Sequence, residues 1–180
     1  RVGVSESNTV TSSLGGTRSE TTGTVHYAYD GVGRIVAINE EGEETGGESR
    51  TQTQDLFGNR TTTISEERYH PELLRTTGQA RVVQSFSQTV TTGVDGSSSR
   101  SEGRIDYLFD EAARVVEERD LNGDGVIDPE TERTHGVTHT ETDDVFGNHT
   151  KADTTDDYTV FRGQARVIRS RSAATTDGFD

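Results

Sequence analysis

The sequence predicts an all-β protein of tandem hairpins, stacked or spiralling into an extended sheet with little helix. Three observations carry that expectation. Val, Ile, Leu and Phe supply only 35 of 180 residues, in a chain of net charge −14. That composition borders on disorder and cannot fill a thick core, whereas a thin layered structure asks for less apolar area per residue. The string "YAYDGVGRIVAI" from Tyr27 returns as "YLFDEAARVVEE" from Tyr107, a shift of 80. Around such strings, β-branched and aromatic residues alternate with polar ones and are interrupted by short Gly-containing turns, which is the pattern of a β-hairpin.

Other segments repeat too. "RVGVSESNTVT" at Arg1 matches "RVVQSFSQTVT" at Arg81, "DLFGNRT" at Asp55 matches "DVFGNHT" at Asp144, and "GQARVV" at Gly78 matches "GQARVI" at Gly163, with shifts of 80, 89 and 85. Unequal shifts place insertions between strands rather than within them. Six turn strings align: "YDGVGRIV", "QDLFGNRT", "TTGQARVV", "FDEAARVV", "DDVFGNHT" and "FRGQARVI". The expectation is three hairpins per large repeat. Residues 1–23 end a preceding repeat, 24–103 form the first copy, and 104–180 form the second, with the next copy starting at about 166. Arg1 and Arg166 begin equivalent segments, so a window on a longer array is expected. Strands rich in Thr and Ser imply one packed face and one wet face.

Within the opening string each residue has a local task. Asp30 can accept hydrogen bonds from the turn's own amides, and Gly33, Gly58 and Gly147 allow a positive φ there. Arg34 can lie over a neighbouring aromatic and reach a carboxylate one hairpin away. Tyr27 and Tyr29, at spacing two, supply large buried area from few residues.

Gly23, Tyr27, Tyr29-Asp30, Gly33-Arg34 and Ile35 read G-x3-Y-x-Y-D-x2-G-R-I. This resembles the YD repeat of the RHS family, secreted and cell-surface bacterial proteins with the teneurins as animal relatives. The two "FGN" turns resemble the second common form of that repeat, and "GQAR" departs from it, with Thr77 or Arg162 in place of Asp. The resemblance implies hairpins joined into a long spiralling sheet, sometimes a shell around a toxin, and an extracellular or cell-surface location. The family's C-terminal core segment with its Asp-Pro-rich cleavage region has no counterpart here, which favours a regular array over a shell.

One insertion suggests a metal. "DLNGDGVID" places Asp120, Asn122 and Asp124 at alternate positions, Gly125 at a sharp turn and Asp128 at the close. With the carbonyl of Val126, these five residues give an oxygen-ligand order suited to Ca²⁺, and three carboxylates so close repel one another unless neutralised. Thr131 stands where an EF-hand carries its bidentate Glu, and the flanking segments are β, so the loop resembles the calcium loops in hairpins of integrin-type propellers. The corresponding "NEEGEETGGES" lacks the alternation. His135 and His139 sit on one strand face about 13 Å apart, too far to share an ion. Asn59 and Asn148 occupy glycosylation sequons, but both hold the same turn position.

No cofactor other than Ca²⁺ is expected. An acidic surplus with one lysine, Lys151, argues against nucleic acid. The absence of Cys excludes disulfides, and no apolar run approaches the roughly 20 residues of a membrane span. Asp143-Asp144 and Asp156-Asp157 read as solvated faces rather than an acid–base pair, and "SEERYHPELL" as a helical turn near Glu66–Leu74 that Pro71 limits. The expected protein is therefore a non-enzymatic structural repeat segment whose partners are other copies. A toxin-encapsulating shell and a glycan-binding adhesin are the alternatives; with no Trp and 6% aromatic residues, the second lacks its usual signal.

Overall fold

The computed structural model describes residues 3–178 apart from 37, 39, 41, 43 and 79. Arg1, Gln79 of "GQAR" and the Asn39, Glu41 and Glu43 of the first-copy loop lie outside the described residues. In chain order the elements are β1 (Val4–Ser12), β2 (Arg18–His26), β3 (Ala28–Tyr29), β4 (Ile35–Val36), β5 (Gly46–Gln54), β6 (Arg60–Tyr69), α1 (Pro71–Thr77), β7 (Val82–Thr92), β8 (Ser98–Asp106), β9 (Leu108–Phe109), β10 (Val115–Val116), β11 (His135–Asp143), β12 (His149–Phe161) and β13 (Gln164–Asp177).

Nine long strands form one open antiparallel sheet in simple sequence order, β1-β2-β5-β6-β7-β8-β11-β12-β13. The pairs β3–β4 and β9–β10 are separate two-stranded hairpins. All-β architecture from hairpins is therefore what the chain adopts. Its unit is four long strands plus one short hairpin: β1, β2, β3–β4, β5 and β6 correspond to β7, β8, β9–β10, β11 and β12, and β13 corresponds to β7.

The hairpin inventory differs from the six aligned strings. "TTGQAR" makes no hairpin; it ends helix α1, whose Gly78 (φ 68°) caps it by donating to the Leu74 carbonyl at 3.0 Å. Three features favour helix here. His70 caps the N-terminus through Nδ1 and the Leu73 amide, Pro71 pre-sets φ in the first turn, and Leu73 and Leu74 give the segment a face to bury. Glu66–Tyr69 remain strand. Two further turns, Ser13–Thr17 and Gly93–Ser97, close β1–β2 and β7–β8 without an initial Asp.

The expected packed face is also not what forms. Among the described residues, every buried side chain lies off the long strands: Ala28, Thr45, Leu73, Leu74, Phe109, Ala113, Glu132 and Thr134. They gather at one end of the sheet. Leu73 of α1 meets Phe109 and Ala113 of the β9–β10 hairpin, with Val83, Tyr107 and Val115 around them. The His70 ring stands edge-on to Phe109, 5.8 Å between centroids. The nine strands thus form a single layer with a small core at one end of it.

Candidate functional site

The opening string works as a carboxylate seat. Asp30 Oδ1 accepts the amides of Val32 (3.1 Å) and Arg34 (2.8 Å), while Oδ2 holds Arg34 Nε at 2.9 Å. Asp110 does the same with Ala112, Arg114 and the Arg114 side chain. In the other form Asn replaces Arg: Asp55 takes the amides of Phe57 and Asn59 and the Asn59 Nδ2, and Asp144 takes those of Phe146 and Asn148 and the Asn148 Nδ2. The fourth residue needs a left-handed backbone, supplied by Gly33 (φ 84°), Gly58 (93°) and Gly147 (85°), and by Ala113 at 61°. Arg34 thus clamps its own turn rather than a neighbouring hairpin, and the sequon asparagines have their amide nitrogens engaged in the turn.

These bonds hold the aspartates below the usual carboxylate range. The leading cause is the Arg34 or Arg114 backbone amide for Asp30 and Asp110, and the Asn59 or Asn148 side chain for Asp55 and Asp144.

The two short hairpins are tied down by a repeated threonine. Thr45 Oγ1 donates to the Val36 carbonyl (2.6 Å) and accepts the Ala28 amide (2.9 Å). Thr134 does the same with Val116 (2.7 Å) and Leu108 (3.0 Å). The shift between them is that of the "FGN" turns (134 minus 45 is 89), so extending that alignment finds the pair from sequence.

The Asp120–Asp128 loop is organised by hydrogen bonds. Asp120 accepts the amides of Gly123 (2.6 Å) and Gly125 (2.9 Å), Asn122 Oδ1 that of Asp124, and Asp124 Oδ1 that of Val126 (2.7 Å). Beneath it sits Glu132, 2% exposed, whose carboxylate accepts the amides of Leu121, Asn122 and Asp128. Glu132 lies one place beyond Thr131, where an EF-hand carries its bidentate Glu, and serves the loop from inside. The oxygen-only donor set is chemically suited to Ca²⁺. Among the described residues, though, no three His, Asp or Glu side chains are grouped as a metal would need. As the loop stands, backbone amides donate to Asp120 and Asp124.

The histidines do not pair. His139 Nδ1 contacts Asp153 at 2.7 Å, while His135 Nδ1 lies 3.1 Å from the Arg133 carbonyl. The bonds to Asp153 and then Glu141 raise the pKa of His139. Asp143 meets His149, and Asp157 meets Arg169 and Arg171. A cleft of about 630 Å³ between β8, β11–β13 and residues 129–131 collects Arg104, Arg133, Arg169 and Arg171. Each is paired with a carboxylate, on Asp106, Glu118 or Asp157.

Over three rows, register sorts charge by face; the next row on the same side carries Glu67 and Asp156. Rows of directly opposed residues cross all nine strands on one side: Thr11, Ser19, Thr53, Thr61, Thr91, Ser99, Thr142, Thr150 and Thr176 form the first. The next row runs from Thr9 through Thr63 and Thr89 to Ala174, and the third from Ser7 through Ser65 and Ser87 to Ser172. All three contain only Thr, Ser, Gly and Ala. Their hydroxyls pair across alternate strand gaps, as in Thr21–Thr51 (3.0 Å), Thr63–Thr89 (3.1 Å) and Ser101–Thr140 (3.0 Å). The opposite face carries the strand ion pairs, among them Arg100–Glu102 and Lys151–Glu141. Sequence reasoning missed this sorting because rows exist only once the register is known.

No protein family model, no curated protein and no solved structure matches the chain. No helix among the described residues is long and apolar enough to cross a membrane.

Proposed function

We propose that the chain is a non-enzymatic structural segment of a long extracellular repeat protein of the YD type, part of a filament, sheath or stalk whose partners are further copies of itself. The observation that carries this reading is the open meander. β1, β7 and β13 hold equivalent phases of the repeat, and the edge strands β1 and β13 each pair on one side only among the described residues. Exposed strand edges are templates for further pairing, and each four-strand unit advances the sheet by about 19 Å at about 4.8 Å per strand. In this reading Ca²⁺ stiffens the second-copy loop through Asp120, Asn122, Asp124, the Val126 carbonyl and Asp128.

The test is electron cryo-microscopy of the native parent assembly, in calcium and then in chelator. Continuous fibres with an axial repeat of about 19 Å support the array, and their loosening in chelator supports the calcium role. Closed hollow particles with density inside overturn it in favour of a cargo shell.

A further inference from the structure

β1, β7 and β13 hold the same phase of the repeat, yet among the described residues only β7 is paired on both sides. We infer that the outer edge of β13 takes the β2–β4 segment (18–36) of a second copy, displacing that copy's own β1. The inference rests on reading the chain as one segment of an array of copies, and it names the surfaces that join them.

The equivalence holds residue by residue. The β6–β7 ladder shifts register so that Val83 is left unopposed, and the β12–β13 ladder leaves Ile168 unopposed in the same way. The Val83 carbonyl accepts the Tyr107 amide at 2.8 Å, and its side chain packs against the Leu73, Phe109 and Ala113 cluster. In the first copy the Gly3 carbonyl accepts the Tyr27 amide, also at 2.8 Å, but glycine brings no side chain. Tyr27, Tyr29 and Ile35 stand where the second copy has Tyr107, Phe109 and Val115. The β3–β4 hairpin therefore lacks one member of the cluster that its counterpart has, and β13 carries it. Ile168 is 61% exposed, and Phe161, in the segment that takes the place of α1 in the second unit, is 52% exposed.

Charge and register agree with this partner. β13 carries Arg166, Arg169 and Arg171 against Asp177, a net +2 in a chain of −14. Residues 18–58 carry three Arg against eight Asp and Glu, a net −5. Opposite charge favours β13 at this edge over β1, whose one charged residue is Glu6. Carrying the β7–β8 register over sets Asp177 against Arg18 and Ala173 against Thr22 of the second copy. The Ile168 carbonyl then takes the Tyr27 amide from Gly3. The exchange keeps the ladder, since β1 gives up nine opposed pairs that β13 replaces in kind, and no side chain of β1 is buried. Strand addition and strand exchange of this kind join copies without new folding.

The chain has no cysteine, so single substitutions report the contact. Thr22 and Ala173 are both exposed, on the second and ninth strands of the sheet, about 34 Å apart within one chain. Directly opposed residues on neighbouring strands lie within disulfide reach. Oxidising an equal mixture of Thr22→Cys and Ala173→Cys chains is expected to give a disulfide dimer of twice 19.6 kDa. Thr22→Cys with Ala174→Cys, one residue out of register and on the other face, is expected to give about tenfold less. Adding Ile168→Ser to the Ala173→Cys chain is expected to cut the yield about tenfold. A mixture that stays monomeric overturns the inference, as does equal cross-linking through positions 173 and 174 or a yield that Ile168→Ser leaves unchanged. So does Ala173→Cys pairing with itself as readily, because two β13 edges then meet about a two-fold axis. Fibres of the parent assembly are scored independently of this mixture, so the two readings fail separately.

Discussion

The two ends of the sheet are built differently. At one end lie the tight turns Ser13–Thr17, Asp55–Asn59, Gly93–Ser97 and Asp144–Asn148, with no buried side chain among them. Carboxylates and hydroxyls binding nearby amides do the work there. At the other end the chain makes its excursions, namely β3–β4 with the loop to Thr45, α1, and β9–β10 with the long loop to Thr134, and among the described residues every buried side chain belongs to these. Among the described residues the chain buries apolar side chains at one end only, while Leu14, Leu56, Phe57, Val94, Val145 and Phe146 in the tight turns stay exposed, and the strands rely on cross-strand bonding, where each side-chain pair contributes about 0.2–1 kcal/mol.

The sharpest way to break this contrast is Phe109→Ala. Phe109 joins the helix to the second short hairpin, and its loss is expected to cost about 3–5 kcal/mol in urea denaturation. Amide exchange is then expected to accelerate at Leu74 and Leu108 well before Asn59 and Asn148. Simultaneous loss at both ends would show that the sheet melts as one unit.

Thr134→Val comes next. It leaves the Leu108 amide and Val116 carbonyl without the partner they share, at about 1–3 kcal/mol. Thr134→Ser is expected to restore most of it, since only the hydroxyl is used.

Acid acts more gently, and on the Asp turns of both ends. Asp55 and Asp144 have lowered folded-state pKa values, so their turns are fully stabilised above the ordinary value of 3.8 and lose that contribution as pH falls through the folded values. Asp30 and Asp110 in the short hairpins are lowered in the same way, so faster exchange at Arg34 and Arg114 as well as at Asn59 and Asn148 is the expected result below that value.

The smallest effect is at the two-residue turn between β12 and β13. Arg162 holds φ 51°, which Asn tolerates better. Arg162→Asn gives the favoured Asn-Gly hairpin pair but removes a guanidinium 5.2 Å from the Phe161 ring. A gain under about 1 kcal/mol is expected, read as a slightly higher melting temperature.

What could be read from sequence was local. Asp followed three residues later by Gly or Ala and then by Arg or Asn declares its turn because every bond in it spans four residues or fewer, and Asp30, Asp55, Asp110 and Asp144 all behave accordingly. What could not be read depends on distance along the chain. "TTGQAR" resembles its neighbours, yet Leu73 finds Phe109 in the next short hairpin, and that contact selects helix. The turns at Ser13 and Gly93 lack the Asp that marks the others. In the Asp120–Asp128 loop the acidic alternation was visible, but not the role of Glu132, whose carboxylate reaches back to Leu121 and Asn122.

The repeat contains four long strands, an even number. The chain therefore leaves each unit at the end of the sheet where it entered, running in the same direction and with the same residues facing up. A gene segment encoding one unit can be duplicated or deleted without turning the hydroxyl rows to the other side or reversing any later strand. An odd count would invert every downstream strand at each such event. Length is thus the property this architecture can change most freely over evolutionary time.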